Sequence, residues 1–226
     1  MIDTTILSNL ESADYTIAYN SLAGILAKGK LNRFAFEEIL SLRNKLIVGD
    51  FLEEYQFFSK RDLDYMRRYI ISHLDHQNRL FVSDLIEFAS YWEIELPYKK
   101  CLFFLETYSD FIEIESDNSC VLMALLDYIS INIKLEHIKQ IKGYLDKILN
   151  NPLQEQSCQV RAAFILFRIT HKRKYLEDLI DLAVNTEGHV ELIKNILEKP
   201  HNAQDYFDYH DLLHILISNN RNKGVS

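Results

Sequence analysis

The residues best suited to chemistry in this sequence include two histidine pairs. His210 and His214 are spaced i, i+4 in DYFDYHDLLH, which places both imidazoles on one helix face, as zinc sites require. His73 and His76 flank Asp75 at the end of a predicted helix, where the helix dipole favours a protonated histidine. We interpret the first pair as part of a polar capping helix and the second as a helix terminus. The prediction is therefore that there is no metal site and no cofactor.

The cysteines Cys101, Cys120 and Cys158 are odd in number, and none of them stands in a CxxC motif. All three lie in apolar helical segments, a pattern typical of free structural thiols in a reducing compartment. The first residues lack the basic start and apolar run of a signal peptide. No uncharged run reaches the roughly 18 apolar residues that a membrane-spanning helix needs. A cytoplasmic location is expected.

The sequence lacks the local motifs of the common enzyme classes. It contains no GxxxxGK phosphate loop, no HExxH and no GxSxG, and no cysteine stands beside an obvious histidine. The basic turn HKRK, His171 to Lys174, could contact phosphates, but a single such turn is more typical of a solvated helix connection. We predict a protein that is not an enzyme, with no catalytic residues.

Charge is distributed unevenly along the 226 residues, whose net charge is −8. Residues 1–120 hold 20 Asp and Glu against 12 Lys and Arg, and the span from Cys101 to Ile133 holds no Lys or Arg. A negative field repels nucleic acid phosphates and attracts basic partners. The acidic half is interpreted either as a solubility surface or as a binding surface for a basic protein. We predict no direct nucleic-acid binding and no membrane binding.

The elements that must position these residues are helices. Glycine and proline are scarce, at 6 and 3, and amphipathic helical periodicity is nearly continuous. The predicted helices run from about residue 12 to residue 218, with Gly49 as a break between helices at 33–47 and 50–58. The segment FIEIE, 111–115, is predicted to be an extended loop. The pattern predicts an all-α protein.

A repeat of 39 residues relates three of the predicted helices. The same i, i+3, i+4, i+7 apolar stripe occurs in each copy, at Val82, Leu85, Ile86 and Ala89, at Val121, Ala124, Leu125 and Tyr128, and at Val160, Ala163, Phe164 and Phe167. Units of two helices that share a stacked core explain this spacing. We predict one repeat domain over 1–226, with repeats at 79–115, 118–154 and 157–186, N-terminal helices at 12–74 and capping helices at 188–218.

The segment VRAAFILFRI, Val160 to Ile169, resembles the opening of the first helix of a HEAT repeat unit. The resemblance covers roughly residues 79–186. It implies a short right-handed α-solenoid of about four to five antiparallel helical hairpins.

The most suggestive region for binding is Tyr91 to Asp117, which holds the only tryptophan amid tyrosines, phenylalanines and acids. Buried aromatic anchors supply binding energy at interfaces, and carboxylates raise the association rate and the selectivity for a basic surface. The predicted partner-binding residues are Trp92, Glu93, Glu95, Asp110, Glu113, Glu115 and Asp117.

These features predict a non-catalytic protein-binding module. In size, charge and architecture the chain resembles bacterial immunity and antitoxin-type inhibitors, including those of contact-dependent growth inhibition systems. That resemblance implies a protein that occludes the basic active site of a cognate nuclease toxin. The alternatives are a HEAT-like scaffold or adaptor in a cytosolic assembly and a DNA glycosylase-like repeat enzyme, which the acidic charge opposes. A metal-dependent activity at His210 and His214 is a further alternative.

Overall fold

A computed structural model describes residues 2–110, 117–132 and 137–184. These ranges consist of α-helices joined by short connections and contain no β-strand. The prediction of an all-α protein is confirmed. In the same part of the chain, none of the helices combines the length and the apolar character that crossing a membrane requires.

The described ranges contain eleven α-helices. They are α1 (Thr4–Leu10), α2 (Tyr15–Leu26), α3 (Arg33–Leu40), α4 (Lys45–Glu54), α5 (Lys60–His73), α6 (Arg79–Tyr91), α7 (Tyr98–Tyr108), α8 (Asp117–Asn132), α9 (Ile138–Asn150), α10 (Gln156–Thr170) and α11 (Arg173–Val184).

The chain divides into two compact units, Met1–Lys100 and Cys101–Ser226, and α7 begins in the first unit and continues in the second. The division falls inside the predicted repeat 79–115. One repeat domain over 1–226 stays a prediction.

Several helices begin where a polar side chain satisfies the free backbone N–H groups of the first turn. The side chains of Asp14, Asn32 and Asn78 accept such hydrogen bonds at the starts of α2, α3 and α6. Ser59 and Asp62 form a reciprocal capping box at the start of α5. Short polar residues therefore fix the starts of α2, α3, α5 and α6.

In the first unit, α4 packs against both α2 and α6. Tyr15 Oη donates a hydrogen bond of 3.1 Å to Asp50, and Tyr19 Oη donates one of 2.5 Å to Glu54, each across 35 residues of chain. The two pairs follow the same order on both helices, so α2 and α4 run parallel. Alternate helices of the chain thus lie side by side in this unit.

In the second unit, α10 packs against α8, α9 and α11. Arg161 Nε donates to Asp127 at 2.8 Å, and Arg168 donates to the backbone carbonyl of Ser130. These two pairs also keep the same order along both helices, so α8 and α10 run parallel. Alternate helices again lie side by side.

The apolar stripes of the predicted repeat face the interior, as predicted. All twelve stripe residues in α6, α8 and α10 are buried. Their burial contributes to the cores of the two units, since each large apolar side chain removed from water contributes about 1.5–3 kcal/mol. The helix faces next to these buried stripes remain available to form the surface of the protein.

The predicted break at Gly49 is wrong, because Gly49 lies in the interior of α4. The chain is interrupted earlier, between Leu40 and Lys45. There the carboxylate of Glu11, at the end of α1, accepts hydrogen bonds of 2.7 and 3.0 Å from the backbone N–H groups of Arg43 and Asn44. A contact across more than 30 residues fixes this turn, and local periodicity does not report it.

The helix α1 begins before residue 12, where the first helix was predicted. The predicted capping helices at 188–218, with His210 and His214, lie outside the described residues, as does the predicted loop FIEIE.

Candidate functional site

A cleft of about 360 Å³ opens on the first unit between α4 and α6, and we call it the α4–α6 cleft. The wall from α4 consists of Gly49, Leu52 and Glu53, spaced i, i+3, i+4 on a helix that carries its apolar core on the neighbouring face. Gln56, which follows the end of α4 at Glu54, completes this wall.

The facing wall is the corresponding stripe of α6, extended by one residue past the helix end. It consists of Asp84, Glu87, Phe88, Tyr91 and Trp92. The stripe lies beside the buried stripe of Val82, Leu85, Ile86 and Ala89, so the same helix supplies core and cleft. Neither wall contributes a lysine, arginine or histidine.

The tightest point of the cleft is the approach of Asp84 to Gly49. A Cβ atom built on Gly49 would lie 2.1 Å from Oδ2 of Asp84, far inside van der Waals contact. The carboxyl group therefore occupies the space that any other residue at position 49 would fill. Among the described residues, Asp84 has no hydrogen-bond or ion-pair partner.

The electrostatic environment of Asp84 disfavours its charged form. Burial first, and then the negative charges of Glu87, Asp50 and Glu53, together raise the pKa of Asp84 to about 7. Burial also raises the pKa of Asp50, although the hydrogen bond from Tyr15 opposes that shift. The cleft therefore concentrates negative charge. Its half-buried Asp84 carboxyl has no positively charged partner to offset its own charge.

Aromatic rings form the other part of the cleft. The indole of Trp92 lies edge-to-face with Phe58, with ring centroids 5.2 Å apart, and with Tyr91 at 5.4 Å. Phe88 packs on the same indole at 6.1 Å. Tyr91 remains 72% exposed. These contacts hold a wall of π surface in place beside the carboxylates.

Carboxylates together with aromatic faces make surroundings suited to a cation. The cleft is lined by no cysteine, serine, histidine or lysine that could act as a nucleophile. Among the described residues, no group of three or more His, Cys, Asp or Glu side chains is arranged to hold a metal ion.

The predicted binding residues of the first unit lie at or just after this cleft. Trp92 lines the cleft, while Glu93 and Glu95 follow it as exposed side chains, with Ile94 and Leu96 buried. Glu93 adopts a left-handed backbone with φ of 53°, which ends α6 and turns the chain. The structure thus places one predicted aromatic anchor beside carboxylates that were not predicted.

The other predicted binding residues belong to the second unit. Asp110 is exposed and lies 3.3 Å from Lys147 Nζ, and Asp117 is exposed in the first turn of α8. Glu113 and Glu115 lie outside the described residues.

The remaining candidate residues from the sequence make ordinary packing, hydrogen-bond or ion-pair contacts, or are free thiols. The ring of His73 stacks on Tyr69 with centroids 4.1 Å apart, and its Nδ1 lies 2.8 Å from the Tyr69 carbonyl oxygen. All four residues of HKRK are exposed, and Arg173, the first residue of α11, pairs with Glu177 at 2.8 Å. Cys101, Cys120 and Cys158 are free thiols.

Sequence reasoning missed Glu53, Asp84 and Glu87. The available signal was a helix-interior glycine followed by polar residues at i+4 and i+7, and an acidic stripe beside the apolar stripe of α6. Their alignment with each other depends on the packing of α4 on α6, which no local pattern reports.

This chain matches no known family model, no curated protein and no solved structure. Its function is therefore inferred from the site.

Proposed function

We propose that this protein is a non-catalytic protein-binding module that docks a basic partner protein on the α4–α6 cleft. The observation that carries the proposal is the convergence of Glu53, Asp84 and Glu87 with the exposed ring of Tyr91 and the half-buried ring of Trp92. Exposed aromatic surface beside carboxylates is costly to leave in water and is suited to a cationic protein surface.

The expected energetics are those of a standard protein interface. Nanomolar affinity corresponds to about −12 kcal/mol, which an interface of roughly 1,600 Å² supplies when a few anchors are well packed. Trp92 and Tyr91 would provide such anchors, because aromatic residues dominate binding hot spots. The acidic field would raise the association rate by about ten- to a thousandfold at low salt.

The narrower proposal is a cytoplasmic immunity or antitoxin-type inhibitor. The net charge of −8 favours a partner of opposite sign, and the substrate groove of a nuclease is such a surface. Docking of the cleft over that groove would exclude nucleic acid from the toxin. A scaffold or adaptor would use the same cleft without inhibiting any partner.

We also propose that the helices form a right-handed HEAT-like α-solenoid of about four to five hairpins. The parallel pairing of alternate helices, α2 with α4 and α8 with α10, supports this arrangement within each unit. A solenoid presents one set of helices along a continuous face, and α4 and α6 would belong to one such set.

Glu93 and Glu95 would extend the docking surface beyond the cleft. The acidic residues Asp110, Glu113, Glu115 and Asp117 remain proposed contacts of the second unit. Charge reversal at Glu113, Glu115 and Asp117 is expected to weaken partner binding without unfolding the protein.

Affinity capture from the source cells tests the proposal. The baits are the wild-type protein, the cleft variant Glu53→Lys/Glu87→Lys and the control Asp64→Lys/Glu106→Lys, which changes charge equally at exposed positions outside the cleft. We expect one basic protein, identified by mass spectrometry, on the wild-type and control baits and not on the cleft variant or at high salt.

Nuclease activity of that protein, inhibited by the wild-type chain, would support the inhibitor hypothesis. Several partners without nuclease activity would support the scaffold hypothesis instead. Equal capture by all three baits would overturn the cleft as the docking site.

A further inference from the structure

We propose that the α4–α6 cleft is the receptor site for an arginine side chain of the partner, with Asp84 as the carboxylate that pairs with the guanidinium. This inference deepens the proposed function and rests on it. The inference assigns one chemical group to the cleft, so it can be tested without the partner protein.

The dimensions and lining of the cleft favour an organic cation over a metal ion. A volume of about 360 Å³ is at the lower end of the range for small-molecule sites and far exceeds that of a dehydrated metal ion. The described residues offer no metal-holding cluster. Much of the lining is instead apolar or aromatic, from Leu52, Phe88, Tyr91 and Trp92. Such walls suit the hydrocarbon stem of a long basic side chain.

The chemistry of the walls favours guanidinium over ammonium. A guanidinium is planar, stacks on aromatic faces and is more weakly hydrated than an ammonium. It also forms two parallel hydrogen bonds with a single carboxylate. The rings of Tyr91 and Trp92 provide the faces, and Asp84 provides the carboxylate. Lysine would gain the charge attraction without the stacking and the paired hydrogen bonds.

Asp84 is suited to this role by its position. It is half-buried against Gly49 and has no hydrogen-bond or ion-pair partner among the described residues, so its hydrogen-bonding capacity is unused. A buried carboxylate without a partner is unfavourable, and a guanidinium would remove that penalty. Gly49 is required because a larger residue would displace the carboxyl group from this position.

Binding of the cation is expected to be coupled to loss of a proton from Asp84. The charges that act on this carboxyl are Glu87 on α6 and Asp50 and Glu53 on α4, and all of them are negative. α5 also packs on α6, and it contributes no charge that acts on Asp84. With a pKa of about 7, Asp84 is largely protonated at pH 6 and largely ionised at pH 8. Arginine binding should therefore strengthen by roughly tenfold from pH 6 to pH 8.

The probe is N-acetyl-arginine amide, titrated into the full-length protein. Trp92 is the only tryptophan in the chain and lines the cleft, so its fluorescence reports this site. We expect saturable binding with a dissociation constant of about 1–10 mM at pH 8, the weak affinity typical of one side chain. N-acetyl-citrulline amide, which has nearly the same shape without the charge, should not bind. N-acetyl-lysine amide should bind at least threefold more weakly than the arginine compound.

The variant Asp84→Asn keeps the shape of the side chain and removes its charge. We expect it to weaken arginine binding at least fivefold at pH 8 and to abolish the difference between pH 6 and pH 8. The control is Asp64→Asn, which changes an exposed carboxylate outside the cleft. It should leave both the affinity for the arginine compound and its pH dependence unchanged. Circular dichroism establishes that each variant is folded.

The proposal is overturned if the arginine compound does not bind, if citrulline binds equally, or if Asp84→Asn binds like the wild type. Equal binding of lysine would overturn the preference for guanidinium. The proposed function is tested separately by partner capture. Loss of capture with Glu53→Lys/Glu87→Lys but not with Asp84→Asn would leave the docking site standing and remove the arginine anchor.

Discussion

At the residue scale, Asp84 is the most distinctive group in the described chain. Its pKa is raised to about 7 by burial and by neighbouring negative charge, whereas the ordinary value is 3.8. Between these two values the folded state holds the proton more tightly than the unfolded state does. The stability that Asp84 contributes is therefore fully present below pH 4 and is lost as the pH rises towards 7.

The variant Asp84→Asn should reveal the stability that is lost when Asp84 ionises. An amide cannot ionise, so at pH 8 the variant does not bury a charge at this position. We expect its free energy of unfolding to exceed that of the wild type by about 1–2 kcal/mol at pH 8, after allowance for solvent around the half-buried group, and by less than about 0.5 kcal/mol at pH 4.5, close to the ordinary pKa. Urea unfolding at both pH values measures the difference, with Asp64→Asn as the control. A gain of equal size at both pH values would contradict the assignment of the raised pKa.

At the element scale, the contact of α4 with α6 depends on a glycine in a helix interior. Glycine there costs about 1 kcal/mol relative to alanine, so its presence requires a packing reason. The Asp84 carboxyl, 2.1 Å from a Cβ built on Gly49, provides that reason. The sequence pattern predicts the amphipathic faces of both helices, but it interprets this glycine as a break because the contact spans 35 positions.

A double-mutant cycle tests this packing. Gly49→Ala should be at least about 1 kcal/mol less favourable in the wild type than in Asp84→Ala, where the space is empty. Gly143→Ala serves as the control, because Gly143 lies in α9 with no atom within 4 Å of the added Cβ. It should stabilise both backgrounds equally, by up to about 1 kcal/mol. Additive free energies of unfolding for Gly49→Ala and Asp84→Ala would refute the contact.

The parallel pairing of α8 with α10 also rests on a specific side chain. Arg161 is 13% exposed, donates to Asp127 at 2.8 Å and donates to the Ser157 carbonyl at 3.2 Å. Arg161→Met keeps most of the apolar stem and leaves both acceptors without this donor. We therefore expect the free energy of unfolding, measured in urea, to fall by about 1–2 kcal/mol.

Arg173→Met provides the comparison, because Arg173 is 87% exposed in its pair with Glu177. Such surface pairs contribute about 0.5 kcal/mol or less. Equal losses for the two variants would show that the Arg161 pair does not stabilise the contact between α8 and α10.

At the scale of the whole molecule, composition and periodicity predict the all-α class and the buried stripes of α6, α8 and α10. They place Trp92 in the candidate site because it is the only tryptophan in an acidic region. They do not reveal Glu53, Asp84 and Glu87, since these residues meet only when α4 packs on α6. Local patterns report which face of a helix is apolar, whereas a cleft depends on which helices become neighbours.

The central claim is that a basic protein binds the α4–α6 cleft. The most direct test is the dissociation constant of the captured partner, measured by surface plasmon resonance at low and high salt. We predict that Glu53→Lys/Glu87→Lys binds at least a hundredfold more weakly than both the wild type and Asp64→Lys/Glu106→Lys, and that added salt weakens wild-type binding mainly through a slower association rate. Equal dissociation constants for the cleft variant and the wild type would contradict the claim.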